Sequence, residues 1–156
     1  MEKNRRAIVI RSRINCPLEQ MQGRLFTMRQ VNNELAPWIH MSAPEPWANL
    51  DIRHWPTGET LFRSTIYLFG LIPVDRHQFG MASQSPSGFR EQSRSLLQKS
   101  WIHERHIVAE GNRTLITDRI FFTPRLQGLA LLLRPIYSWL FKHRHRRLEK
   151  AFKTYR

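Results

Sequence analysis

The sequence predicts an α+β domain in two layers, an antiparallel sheet of about six or seven strands packed against a long C-terminal helix. Three observations lead there. Residues 7–14 alternate apolar and polar with period two, residues 50–123 read as one extended segment after another, and after Pro124 the pattern turns helical to the end of the chain. A sheet with one apolar face and a helix with one apolar stripe bury those surfaces against each other, which gives the two layers.

The elements follow in order. "AIVIRSRI" places Ile8, Ile10, Ser12 and Ile14 on one side of a first strand and Val9, Arg11 and Arg13 on the other. "PLEQMQGRL" opens with Pro17, which suits a helix start, and "VNNELAPWIHM" carries a second short amphipathic helix with Pro37 near its start. "LDIRHW" is the next expected strand, then a turn at Pro56–Gly58 and the run "TLFRSTIYLFGLIP". "VDRHQFGM" and "FREQSRSLL" flank the turn-forming "SQSPSG". "SWIHERHIVAE" and "RTLITDRIFFTP" meet at Gly111 and Asn112, the strongest hairpin signal in the chain. The terminal helical stretch spans about 30 residues, or ~45 Å at 1.5 Å per residue. Pro135 lies inside it, so a kink or two abutting helices are expected.

Composition narrows the function. At 156 residues the chain is expected to form a single domain over 1–156, long enough to enclose a cavity. No apolar run approaches the roughly 20 residues a membrane span needs. "MEKNRRAIVI" meets Arg11 and Arg13 too soon for a secretory signal, so a cytoplasmic location is expected. A single cysteine, Cys16, excludes an internal disulfide and a cysteine-cluster zinc site. The net charge of +13 favours anionic partners in general. Phosphate-loop, dinucleotide and serine-elbow patterns are missing, so no cofactor is expected.

Four quoted stretches, "IVIRSRINCPLEQM", "FGLIPVDRHQF", "SWIHERHIVAEGNRTLITDRIFFTP" and "FKHRHRRLEKAF", taken in this order, resemble the START-related SRPBCC superfamily, in particular its polyketide cyclase/dehydrase and lipid-transport-like ligand-binding branch. The resemblance covers nearly the whole chain. It implies a helix-grip fold, in which a curved sheet wraps the terminal helix and an apolar cavity between them receives a hydrophobic small molecule or lipid. Many members bind and some catalyse, so a cyclase- or dehydratase-like enzyme on a polyketide-like substrate is the alternative.

Candidate site residues come from alternation and from that resemblance. Asp118 shares a strand face with Ile116, Ile120 and Phe122, an apolar setting in which a carboxyl needs a compensating cation. Glu91 alternates with Phe89, and Trp101, His103, Arg105 and Ile107 share one face. Acid–base work by Asp118, His103 or Glu91 competes with an internal ion pair, and no catalytic residue is assigned. Trp38, Trp55, Tyr67, Phe69, Phe79, Leu133 and Tyr137 are further pocket candidates, with plain core packing the competing reading for each aromatic. Metal binding is not expected, because His103 and His106 fall on opposite strand faces and His143 and His145 do not face each other on a helix.

The segment "FKHRHRRLEKAF" decides between a nucleic-acid patch and a packed helix. At about 100° per residue, Lys142, Arg146, Arg147, Lys150 and Lys153 fall on one solvated side. Leu140, Phe141, Leu148, Ala151, Phe152 and Tyr155 continue an apolar stripe from Leu133 and Tyr137. No specific nucleic-acid recognition is therefore expected, although a basic adaptor for nucleic acid or weak contact with an anionic membrane stays open. Arg144 falls in the middle of the apolar stripe. A guanidinium there must be paired, and Asp118, Glu91 and Glu104 are the candidate partners.

Overall fold

The computed structural model describes residues 7–153. Strand β1 (Ile8–Ile14) leads to helices α1 (Leu18–Leu25) and α2 (Met28–Leu35), then to a short strand β2 (Ile39–Met41). A single 3-10 turn at Ile52–His54 precedes β3 (Gly58–Leu68), β4 (Ile72–Ser85), β5 (Gly88–Ser95), β6 (Gln98–Glu110) and β7 (Arg113–Pro124). Helix α3 (Leu129–Phe152) closes the described chain. The strands form one sheet in the order β1-β7-β6-β5-β4-β3-β2, with every neighbouring pair antiparallel. The sheet curls around α3, which packs on β1 and against α2, so the helix-grip arrangement holds.

Local chemistry explains the elements. Thr27 caps α2 by accepting the Gln30 N–H at 3.1 Å, satisfying one of the donors a helix start leaves free. The β6–β7 hairpin turns at Gly111, whose φ of +62° at the first loop position suits the type II′ geometry that follows strand twist. Register shifts between Gly58 and Phe62, between Ile66 and Tyr67, and between Met81 and Ser83 bend the sheet where β3 and β4 cross the cavity. A side chain at Gly80 would overlap the backbone of Gln92 and Glu59, so the bend needs glycine there.

Several expectations are corrected. "LDIRHW" is no strand: Asp51 caps the 3-10 turn by accepting the Arg53 N–H at 2.8 Å, and Trp55 ends it. The second short helix starts at Met28 and stops before Pro37, and Ile39–Met41 is strand, because proline disfavours helix at the residue before it. "TLFRSTIYLFGLIP" folds back on itself, with Phe69 and Gly70 both at positive φ (55° and 70°) between β3 and β4. The terminal segment is one helix through Pro135, not two. The helix carbonyl that Pro135 cannot serve belongs to Leu131, which is 85% exposed and open to water. Within the apolar stripe Ala151 is exposed, and Tyr155 lies outside the described residues.

The buried apolar side chains form two groups. The larger joins α1 and α2 residues such as Met21, Leu25 and Met28 to Phe62 and Phe79 of β3 and β4, Ile116 of β7, and Leu148 and Phe152 of α3. The smaller links Ile8, Ile120 and Phe141, with Trp101, Phe122 and Tyr137 packed around it. Between the two groups the sheet and α3 do not meet.

Candidate functional site

The gap between sheet and helix is a cavity of about 220 Å³. Its floor is Phe79 and Met81 of β4, Phe89 of β5 and Trp101 of β6. Its roof is Leu133, Ile136, Leu140 and Phe141 of α3, and Leu25, Met28 and Leu35 of the short helices close one side. The exposed side chains Val74, Leu97 and Ile136 also line it, which places the mouth among the β3–β4 turn, the β5–β6 turn and the first half of α3.

A chain of buried charges forms the closed end. Arg105 donates from Nε and Nη2 to the two Asp118 oxygens at 2.8 and 2.7 Å, and from Nη2 to Glu34 Oε1 at 2.8 Å. Asp118 also accepts from His103 Nε2 and His145 Nε2, each at 2.8 Å, and His145 Nδ1 meets Ser12 Oγ at 2.8 Å. The other His103 nitrogen faces Glu91 at 3.7 Å, and Glu91 is bonded by His77 Nε2 at 2.6 Å and Ser93 Oγ at 2.7 Å. Three carboxylates thus face two guanidiniums and three imidazoles, all nearly or fully buried. Such a set survives burial because each charge has partners.

The partners set the titration. Burial alone would raise the Asp118 carboxyl, but the charge and hydrogen bonds of Arg105, joined by His103, hold it well below the usual range. Burial also works against the Glu91 carboxylate, and hydrogen bonds from His103 and His77 overcome it, leaving its pKa low. Burial works against the Arg105 charge, yet Asp118 and Glu34 raise its pKa above the ordinary value. Arg144 goes the other way: burial lowers its pKa, and the nearby Arg105 charge adds to that. At the mouth side burial pushes the Tyr137 hydroxyl up to about 12.

Arg144 is the residue this network serves least. It is buried, and its Nη2 reaches Glu34 Oε1 at 3.5 Å, while its guanidinium lies 4.8 Å over the Phe141 ring. Among the described residues its Nε has no hydrogen-bond partner. The expected burial of Arg144 is found, but its partner is Glu34 of α2 and none of the three candidates. Asp118 and Glu91 are held by the groups above, and Glu104 turns outward to pair with Arg90. A second unsatisfied atom, Gln98 Oε1, lies on the cavity wall beside Tyr137, whose Oη accepts from Gln98 Nε2 at 2.7 Å.

Of the sequence candidates, Trp55, Phe79, Phe89, Glu91, Trp101, His103, Leu133 and Tyr137 face the cavity. Five do not. Asp118 points inward but is fully covered by Arg105, His103 and His145. Phe122 packs edge-on against Tyr137, at 4.9 Å, beyond the lining. Tyr67 faces away because its neighbour Ile66 takes the inward position on β3. Trp38 and Phe69 meet each other at 5.7 Å on the outside, where the positive φ of Phe69 turns it from the sheet. Glu34, His77 and Gln98 were missed; His77 alternates with Phe79 and Met81 on β4, a signal that could have found it, whereas a register shift sets Gln98 off from Trp101. Among the described residues no group of three or more His, Cys, Asp or Glu is arranged to hold a metal ion. No helix among them is long and apolar enough to cross a membrane.

Comparison with solved structures agrees on the fold. A START superfamily protein from Mycobacterium smegmatis aligns with a TM-score of 0.64 at 10% identity, over 94% of this chain and 97% of its own. A protein from Arthrobacter aurescens aligns at 0.65 and 10% identity, over 94% and 86% of the two chains. Major latex-like protein 151 from Panax ginseng aligns at 0.57 and 11% identity, over 94% and 97%. The chain therefore has a START-like, SRPBCC helix-grip fold, and at these identities the likeness speaks of fold alone. No curated protein matches it significantly. Its residues 12–152 match the family described as Domain of unknown function (DUF8410), and the chain belongs to that family.

Proposed function

We propose that the protein binds a small, largely apolar molecule carrying one acidic or carbonyl end, with that end at Arg144 and the apolar body between the sheet and α3. The observation that carries the reading is Arg144 Nε, a buried donor on a residue that lines a largely apolar cavity, with nothing to donate to among the described residues. A buried unsatisfied donor is costly, and an oxygen atom of a ligand relieves it. Size supports a modest molecule. An apolar cavity of about 150 Å³ holds benzene, so about 220 Å³ suits roughly ten non-hydrogen atoms. Gln98 Oε1 offers an acceptor for a hydroxyl or N–H on the ligand, seven residues or ~10 Å along α3 from Arg144 if measured at its partner Tyr137.

Catalysis is the second reading, and one observation favours it: His77 and His103 both line the cavity with Glu91 between them. Such a pair can move a proton to or from a substrate. Asp118 has no such part, since its oxygens are already taken by Arg105, His103 and His145 and no lining surface remains. The test for binding is calorimetric titration with a panel of small aromatic and aliphatic carboxylic acids beside their methyl esters and the matching hydrocarbons. The acids should bind at least about tenfold tighter than the hydrocarbons, a difference of ~1.4 kcal/mol, and Arg144→Met should erase that preference. Equal binding of acids and hydrocarbons, or none by either, would contradict the reading.

A further inference from the structure

The cavity mouth is surrounded by apolar side chains that the fold leaves bare. Leu71 is 81% exposed, Leu131 85%, Leu96 69% and Leu126 68%, with Leu132 and Trp139 also exposed. Scattered exposed leucines are ordinary, but these sit on the β3–β4 turn, the β5–β6 turn, the connection into α3 and its first half, the segments that border the mouth. Trp38 ties α3 to the β3–β4 turn, meeting Trp139 at 5.4 Å and Phe69 at 5.7 Å, and the Phe69 N–H donates to the Trp38 carbonyl at 2.7 Å. The β5–β6 turn is fixed to β4, because the Asp75 carboxylate accepts the Leu96 and Leu97 N–H groups at 3.0 and 3.3 Å. The connection into α3 is fixed to the same turn, the Arg125 N–H donating to the Leu97 carbonyl at 3.0 Å. These segments are tied to one another by backbone or aromatic contacts, so their apolar tips are held in fixed places around the mouth.

Charge says what the surface faces. Arg63, Arg76, Arg94 and Arg125, all exposed, line one shallow depression on the outer sheet face next to Leu96. The carboxylate on the same turns, Asp75, is already engaged by backbone N–H groups. Apolar tips beside clustered arginines match a bilayer surface, where acyl chains lie just beneath anionic phosphates. A second copy of the chain fits worse, since face-to-face pairing would bring the two arginine clusters together.

We infer that this end of the molecule docks on an anionic phospholipid membrane, with Leu71, Leu96 and Leu131 entering the interface and the four arginines contacting lipid phosphates, so that the cavity opens onto the bilayer. Docking does not depend on what the cavity holds. The experiment is vesicle co-sedimentation of the full chain with phosphatidylcholine vesicles, with and without phosphatidylglycerol, in low and high salt, beside light scattering of the protein alone. Binding to the anionic vesicles is expected, weaker in high salt. Leu71→Asp with Leu131→Asp should reduce it at least about tenfold, because two apolar side chains that leave water on docking become charged. Arg76→Glu with Arg94→Glu should remove the preference for the anionic lipid. Val108→Asp, at an exposed site on the opposite end of β6, should change nothing. The docking inference is overturned by absence of vesicle binding, by binding that the leucine pair leaves intact, or by a dimer that the leucine pair dissociates. Carboxylic-acid binding in the cavity persisting in the leucine double variant would separate this failure from that of the binding proposal.

Discussion

The two halves of α3 use the same helix for opposite purposes. Beyond Phe141 its inner face is largely sealed: His145, Leu148 and Phe152 are buried against β1, β7 and α2, and Arg144, buried at the inner end of the cavity, reaches Glu34 of the carboxylate network. Before Phe141 the helix covers the cavity with Leu133, Ile136 and Tyr137 and leaves Leu131, Leu132 and Trp139 in solvent. The first arrangement gives partners to its buried polar groups with one exception, Arg144 Nε. The second leaves apolar surface unpartnered on both sides of the helix, and a stability argument alone gives no reason for it. The difference separates the end that holds the protein together from the end that is free to bind.

That contrast can be broken in order of expected effect. Asp118→Ala leaves Arg105 buried without its bidentate partner and should cost about 3–5 kcal/mol in urea unfolding. A loss below about 1 kcal/mol would mean the sealed end is not where the stability lies. Acid should act through the same groups. Asp118 and Glu91 have folded-state values below those of the unfolded chain, so they contribute stability above about pH 4 that is lost as pH falls through the folded values. Thermal melts should be level from neutral pH to about pH 5 and fall below it, and Asp118→Asn should flatten that fall. Arg144→Met should cost only about 1 kcal/mol, since Glu34 keeps Arg105 and an apolar replacement of similar length is often neutral. At the open end Leu131→Asp should shift stability by no more than about 0.5 kcal/mol. A larger loss there would make the bare leucines part of the fold and not of a surface.

Much of the sealed end was legible in the sequence because its pattern is local. The hairpin at Gly111, the inward alternation of Trp101, His103 and Arg105, and the burial of Arg144 all follow from period and turn chemistry over a few residues. What escaped depends on distance or on single-residue geometry. Glu34 lies 71 positions from Arg105 and 110 from Arg144, so no local pattern joins them. Tyr67 sits on the strand face opposite Ile66, which lines the cavity, and Phe69 is turned outward by a positive φ that leaves no periodic trace. His145 reads as one more member of a basic cluster until β7 brings Asp118 beneath it.

The central claim is that the space between sheet and α3 receives a ligand, and filling that space tests it most directly. Leu133 lines the cavity and is only half-buried, so Leu133→Trp should occupy part of the volume without disturbing the carboxylate network. Calorimetric titration of this variant with the carboxylic acid that binds the parent chain best should show binding reduced at least about tenfold, with the thermal midpoint unchanged. Binding equal to that of the parent chain would place the ligand elsewhere and contradict the account.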